Sequence, residues 1–205
     1  MFDFGHGPVR ANQHTNPDGS TGGWVAATAH VDDTAFLAPG AFVYGNARVF
    51  GNARILDEAR VYDNARVNSG AVISGRARVY GNCSVNDAQI TGEATISGSA
   101  QLSNGAWVGG QAKITEEARV RGTARISGCA LVAGRAWVNG AQIDGDAKVT
   151  GDAVLHPGAR IGGNVLIESG SHGGSNQTHR AHADIDLVNR VGGSDDLLDE
   201  LASFS

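Results

Sequence analysis

Aromatic side chains are scarce in this sequence: 3 Trp, 3 Tyr and 6 Phe among 205 residues. Large side chains normally supply much of a core's buried area, so a fold built here must bury many small aliphatics close to backbone instead of a few bulky anchors. Cysteine is scarcer. Cys83 and Cys129 are too few for a disulfide framework, and Met1–Arg10 (MFDFGHGPVR) lacks the basic start and apolar run of a secretory signal, so a reducing, cytoplasmic setting is expected. No stretch approaches the ~20 apolar residues of a membrane span, which argues against a membrane protein. What is plentiful is small: 30 Gly, matched by 30 Ala. Gly and Pro together make 34 of the 205 residues, below the roughly 25–30% of low-complexity chains, which excludes collagen and ordinary disorder. An internal repeat is the first pattern to seek.

Aligned on Ala-x-Val/Ile/Leu, the chain carries an aliphatic every six positions from Val25 to Val85, from Ile90 to Val138 and from Ile143 to Ile167. That makes 25 hexads, interrupted only by five-residue steps at VNDAQI (Val85–Ile90) and VNGAQI (Val138–Ile143). Ala stands two residues before the aliphatic in 22 of the 25, the exceptions being Gly23, Cys83 and Val165. On an extended segment, positions two apart share a side, so the aliphatic and the Ala point inward and the residue between them points out. Gly, Asn, Asp and Ser crowd the next positions, as in Gly45-Asn46 and Asp63-Asn64, where a bend needs a permissive backbone. Each hexad predicts a short strand and a corner. The two short steps read as tightened corners that leave the sides in place.

Six residues per side predicts three sides and 18 residues per coil, and Tyr44, Tyr62 and Tyr80 repeat at that period in VYGNAR, VYDNAR and VYGNCS. About eight coils at the ~4.8 Å strand spacing make a prism roughly 40 Å long, with open sheet edges only at its two ends.

The hexads VYGNAR, VFGNAR, ISGRAR, ISGCAL and VTGDAV resemble those of the hexapeptide-repeat proteins. Over residues 24–168 the resemblance implies an all-β fold, a single-stranded left-handed parallel β-helix of triangular section. The handedness comes from the resemblance alone, since it runs against the right-handed crossover rule. The opening Asn16–Ala26, NPDGSTGGWVA, also looks like the start of solenoid proteins of bacteria and phages, which would place the chain in a bacterial or host cytoplasm or in a virion. The best-known hexapeptide proteins are acyltransferases with a catalytic His beside a protruding loop and coenzyme A bound between subunits. Trimers are common in the fold, and a trimer or dimer is expected here.

Residues 1–23 are expected to fold back as a cap, with Phe2 and Phe4 ahead of a turn at Asn16-Pro17-Asp18-Gly19. Residues 169–205 read as a linker, Ser169–His182, followed by an acidic tail. There Ser194 caps a predicted short amphipathic helix bearing Leu197, Leu198, Leu201 and Phe204 on one stripe. Three outcomes are open to that helix: covering the last coil, docking on another chain, or staying frayed, since ~10 residues are marginal alone.

No insertion interrupts the hexads, and their two His residues, His30 and His156, sit seven coils and about 34 Å apart. His156, in VLHPGAR at a distinct Pro157-Gly158 corner, is the one candidate catalytic residue, and a surface corner residue is its competing reading. Carbonic anhydrases of this fold need three converging His around an open metal site, and the coils hold no such set. His172, His179 and His182 read as solvated linker. No metal or other cofactor is expected. Cys83 replaces an inward Ala as inert filler, while Cys129 falls at a corner. An ice-binding face needs a Thr array, and the outward strand position carries only Thr95.

Arg48, Arg54, Arg60, Arg66 and Arg78 occupy outward positions in neighbouring coils, where residues 41–80 carry six Arg against three acids. Residues 168–205 carry seven acids against two Arg. By side, Arg48 and Arg66 share one face, Arg60 and Arg78 a second and Arg54 the third, a belt that does not suit duplex DNA. A solvated surface, and a grip on a phosphate-containing small ligand between subunits, are its two readings. Trp24, Phe36, Phe42, Phe50, Trp107 and Trp137 also point outward, and the first four are expected to form a patch against the cap or a subunit interface. The sequence as a whole points to a non-catalytic β-solenoid acting through self-assembly or a protein partner. A coenzyme A-dependent acyltransferase and a protein that sequesters a phosphorylated or nucleotide-like ligand are the alternatives.

Overall fold

The structure, a computed structural model, describes residues 1–173 and the strand Thr178–Arg180. The chain winds into an all-β parallel solenoid of about 8 turns, ~18 residues apart. Three sheets of 10, 9 and 9 strands form its faces, and each turn adds one strand to each. The first face runs from Thr21–Ala26 to Leu166–Ile167, the second from His30–Val31 to Ser171–His172, and the third from Phe36–Leu37 to Thr178–Arg180. Most strands are only two residues long, because a hexad leaves no more between corners.

The core is the column the hexads predict. From Ala35 to Ile167, every inward Ala and aliphatic is at most 6% exposed, and most are at 0%. Burying a Val or Ile side chain contributes about 1.5–3 kcal/mol, and a new one enters with each hexad. Both five-residue steps fall at the corner between the second and third faces, where Asp87 (φ 45) and Gly140 (φ 65) turn the chain. Register survives them. Ser84 still pairs with Gln101 and Gln89 with Trp107, as Trp137 does with Val154 and Gln142 with Arg160.

At the N-terminal end, β1 (Phe2–Asp3) pairs antiparallel with β2 (Pro8–Val9), and β3 (Ala11–Thr15) with β4 (Thr21–Ala26), the first strand of the first face. β3 thereby covers that face's open edge. The third face is closed by side chains instead. Asn16, 3% exposed, donates from Nδ2 to the Leu37 carbonyl (3.1 Å) and accepts the Leu37 N–H at Oδ1 (2.8 Å). His14 Nε2 lies 3.0 Å from the Ala35 carbonyl. One amide here does the work of a missing strand. The same packing explains Gly22 and Gly23, since a Cβ would lie 2.8 Å from the Leu37 oxygen at the first and 2.0 Å from the Ala41 oxygen at the second.

The coil runs past Glu168, correcting the expected start of a linker at Ser169. Ser171–His172 pairs with Val154–Leu155, and Thr178–Arg180 with Arg160–Gly162. His172, 3% exposed, takes the inward place opposite Leu155, with Nε2 3.0 Å from the Ser169 carbonyl. A His in that place hides the turn from any aliphatic periodicity. The helix expected at Leu197, Leu201 and Phe204 lies outside the described residues, as does His182.

Candidate functional site: basic faces and laddered corners

Stacked coils turn equivalent residues into columns. At the corner after the first face, the Tyr44, Tyr62 and Tyr80 rings stack at 4.8 Å with interplanar angles of 1° and 5°, and Phe4 extends the stack at 4.9 Å. Beside them Asn46 donates to Asn64 (3.4 Å) and Asn64 to Asn82 (3.0 Å). Burial pushes the Tyr62 phenol up to about 12, and the neighbouring Tyr44 and Tyr80 push the same way.

Acids gather at corners. Asp57, Asp63 and Glu116 adopt φ of 55, 57 and 60, and each accepts an amide of the next coil, from Gly75 (2.8 Å), Gly81 (3.2 Å) and Gly134 (2.7 Å) respectively. At the corner after the third face, Arg76 bridges Glu58 (3.6 Å) and Glu93 (3.5 Å), and Gln111 and Cys129 continue that ladder.

The faces carry the opposite sign. Arg48, Arg54, Arg60, Arg66 and Arg78 all stand on them, with Arg48 beside Arg66 and Arg60 beside Arg78 in register. Lys113, Arg119, Arg125, Lys148 and Arg160 hold the same outward position farther along, so 10 of the 25 hexads present a cation there and none an acid. Asp and Glu are poor strand formers, and Asp tolerates the left-handed corner conformation, which helps to sort the signs. None of these ten has an ion-pair partner among the described residues. Among the described residues, the ion pairs join His30 to Asp32, and the corner residues Arg76 and Arg135 to Glu58, Glu93 and Asp152. The cluster in residues 41–80 stands out by its local density, whereas the five later cations are spread thinly and emerge only at the single outward position followed through all hexads.

The aromatics do not form one patch. A six-residue step moves each hexad to the next face, so Trp24 and Phe42 pair on the first face while Phe36 lies on the third and Phe50 at a corner near His30 (5.8 Å). Phe2 stacks on Trp24 (4.6 Å), and Phe4 meets Phe42 edge-on (5.9 Å). The Arg54 and Arg60 guanidinium groups lie over Phe36 and Phe42 at 5.3 and 5.5 Å. Trp107 folds over Gly109, where a Cβ would lie 2.4 Å from the indole. Trp137 is capped by Arg121 at 4.3 Å.

His156 packs edge-on to Trp137 (6.0 Å), with Nε2 2.9 Å from Ser171 Oγ. Among the described residues no carboxylate bonds to its ring, and no group of three His, Cys, Asp or Glu could hold a metal ion. Cys83 is buried, which pushes its thiol up to about 12, and Cys129 is exposed. Among the described residues no helix is long and apolar enough to cross a membrane.

Two windows of these laddered coils match a known repeat. A family model described as the YdcK beta solenoid repeat matches residues 41–57 and 59–75. Each window spans about one turn, and together they contain Tyr44, Tyr62, Arg48, Arg54, Arg60 and Arg66. The likeness agrees with the architecture as a β-solenoid repeat protein. No curated protein matches the chain.

Proposed function

We propose that the protein is a rigid, non-catalytic scaffold whose flat faces bind acidic protein surfaces, those of a second copy of this chain included. The observation that carries this reading is the set of ten face cations without ion-pair partners among the described residues, two pairs of them adjacent in register. Like charges directly opposite on neighbouring strands are unfavourable by a few tenths to about 1 kcal/mol per pair, and an acidic partner relieves that repulsion. The chain itself supplies acids at its corners and in the tail, including Asp195, Asp196, Asp199 and Glu200. On the resemblance of its hexads we take the coil to be left-handed and the setting to be a bacterial or phage-infected cytoplasm.

Sedimentation velocity at low salt and at about 1 M, where the screening length falls to about 3 Å, tests the reading. Assemblies should form at low salt and dissolve at high salt, and Arg60→Glu with Arg78→Glu should abolish them without unfolding the coil. A monomer at every salt concentration whose acetyl-coenzyme A turnover is lost in His156→Ala would replace the scaffold with an acyltransferase. A phosphate-containing ligand retained in native mass spectrometry and lost on Arg48→Ala would replace it with sequestration.

A further inference from the structure

We infer that the cavity between the N-terminal hairpin and the first coil binds a small aromatic carboxylate. Its volume is about 340 Å³, within the range of small-molecule sites. Its walls are carbon, formed by the rings of Phe4 and Tyr44 and by Val9, Ala26 and Ala27. Among the described residues only Met1 and Val9 are large hydrophobics classed as exposed, Val9 at 44%. Of these two, Val9 stands at the lining of this cavity.

Arg10 is the one formally charged side chain at its lining. Arg10 and His6 line the cavity, both are exposed, and neither has an ion-pair partner among the described residues. The hairpin's own acid, Asp3, is engaged by the Gly5 and Gly7 amides at 2.7 and 3.0 Å, and the Thr28 hydroxyl donates to the Gly45 carbonyl. An apolar ring fits against Phe4 and Tyr44, and a carboxylate attached to it meets the Arg10 guanidinium, whose planar fork matches a carboxylate bidentately. The site is separate from the face cations, so it stands or falls independently of the scaffold reading.

The test is a ¹H–¹⁵N NMR titration of the full chain with 1-naphthoate and with its neutral analogue 1-naphthalenemethanol. Saturable shifts should cluster at the amides of Val9, Arg10, Ala27 and Tyr44, with the alcohol binding roughly tenfold more weakly. Arg10→Gln should lower naphthoate affinity to that of the alcohol, and Ala27→Trp, filling the cavity from an exposed position, should abolish binding of both. Should Ala27→Trp fail to fold, Arg10→Gln and the alcohol still decide. No shifts, or shifts spread along the Arg-bearing strands and indifferent to Arg10→Gln, would overturn the site.

Discussion

The inward Ala is the first sensitive residue, because it lies fully buried in a core built of one Ala and one aliphatic per hexad. Ala106 and Ala118 are both 0% exposed. Ala118→Leu should destabilise by roughly 1–3 kcal/mol through overpacking, measured by urea unfolding, and an unchanged midpoint would show that the interior yields. Asn16 is the second sensitive residue. Asn16→Ala leaves the Leu37 N–H and carbonyl without their side-chain partners at a buried edge and should cost about 1–3 kcal/mol. Asn16→Asp should not rescue it, because a carboxylate keeps the acceptor but turns a lone pair toward the Leu37 carbonyl. Wild-type stability in both Asn16 variants would remove its edge-closing role. The Ala positions were legible in the sequence because the pattern recurs 22 times. Asn16 was not, because in NPDGS it looks like an ordinary turn residue and its partner stands 21 residues away.

At the scale of an element, the column is the unit, and its chemistry differs from that of one residue in solution. The Tyr62 phenol, raised from 10.0 to about 12 by burial within the Tyr stack, keeps its proton in the folded chain after the unfolded chain has lost it. Stability from this group is therefore complete below pH 10 and falls as pH rises from 10 through about 12. Cys83, raised from 9.0 to about 12, acts with the same sign from pH 9 upward. Tyr62→Phe keeps the ring in the stack and should flatten the alkaline decline, and adding Cys83→Ala should flatten it further. A decline identical to wild type in the double variant would place its origin elsewhere. The 18-residue Tyr spacing already announced this column. Its extension by Phe4 could not be read, because Phe4 belongs to a hairpin outside the repeat.

Across the whole molecule, the formal net charge of −5 conceals a partition into basic faces and acidic corners and tail. The same geometry partitions the thiols. Native protein should react with a thiol reagent at Cys129 alone, and unfolded protein at both cysteines. Labelling of Cys83 in the native state would mean that the coils open locally around Tyr80–Val85.

What the sequence by itself determined is everything that repeats: the hexad, the inward Ala and aliphatic, the three sides, the 18-residue coil and the side on which each Arg stands. Strand alternation and a corner every six residues are local backbone geometry, so they print themselves on the chain at each turn. Only the tertiary structure decided what happens where the repeat stops. Asn16 closing the edge at Leu37, Phe2 and Phe4 covering Trp24 and Phe42, the cavity beside Val9 and Arg10, and His172 filling an inward place all join segments that occur once. A contact made once leaves no period to find, and packing alone brings its two sides together.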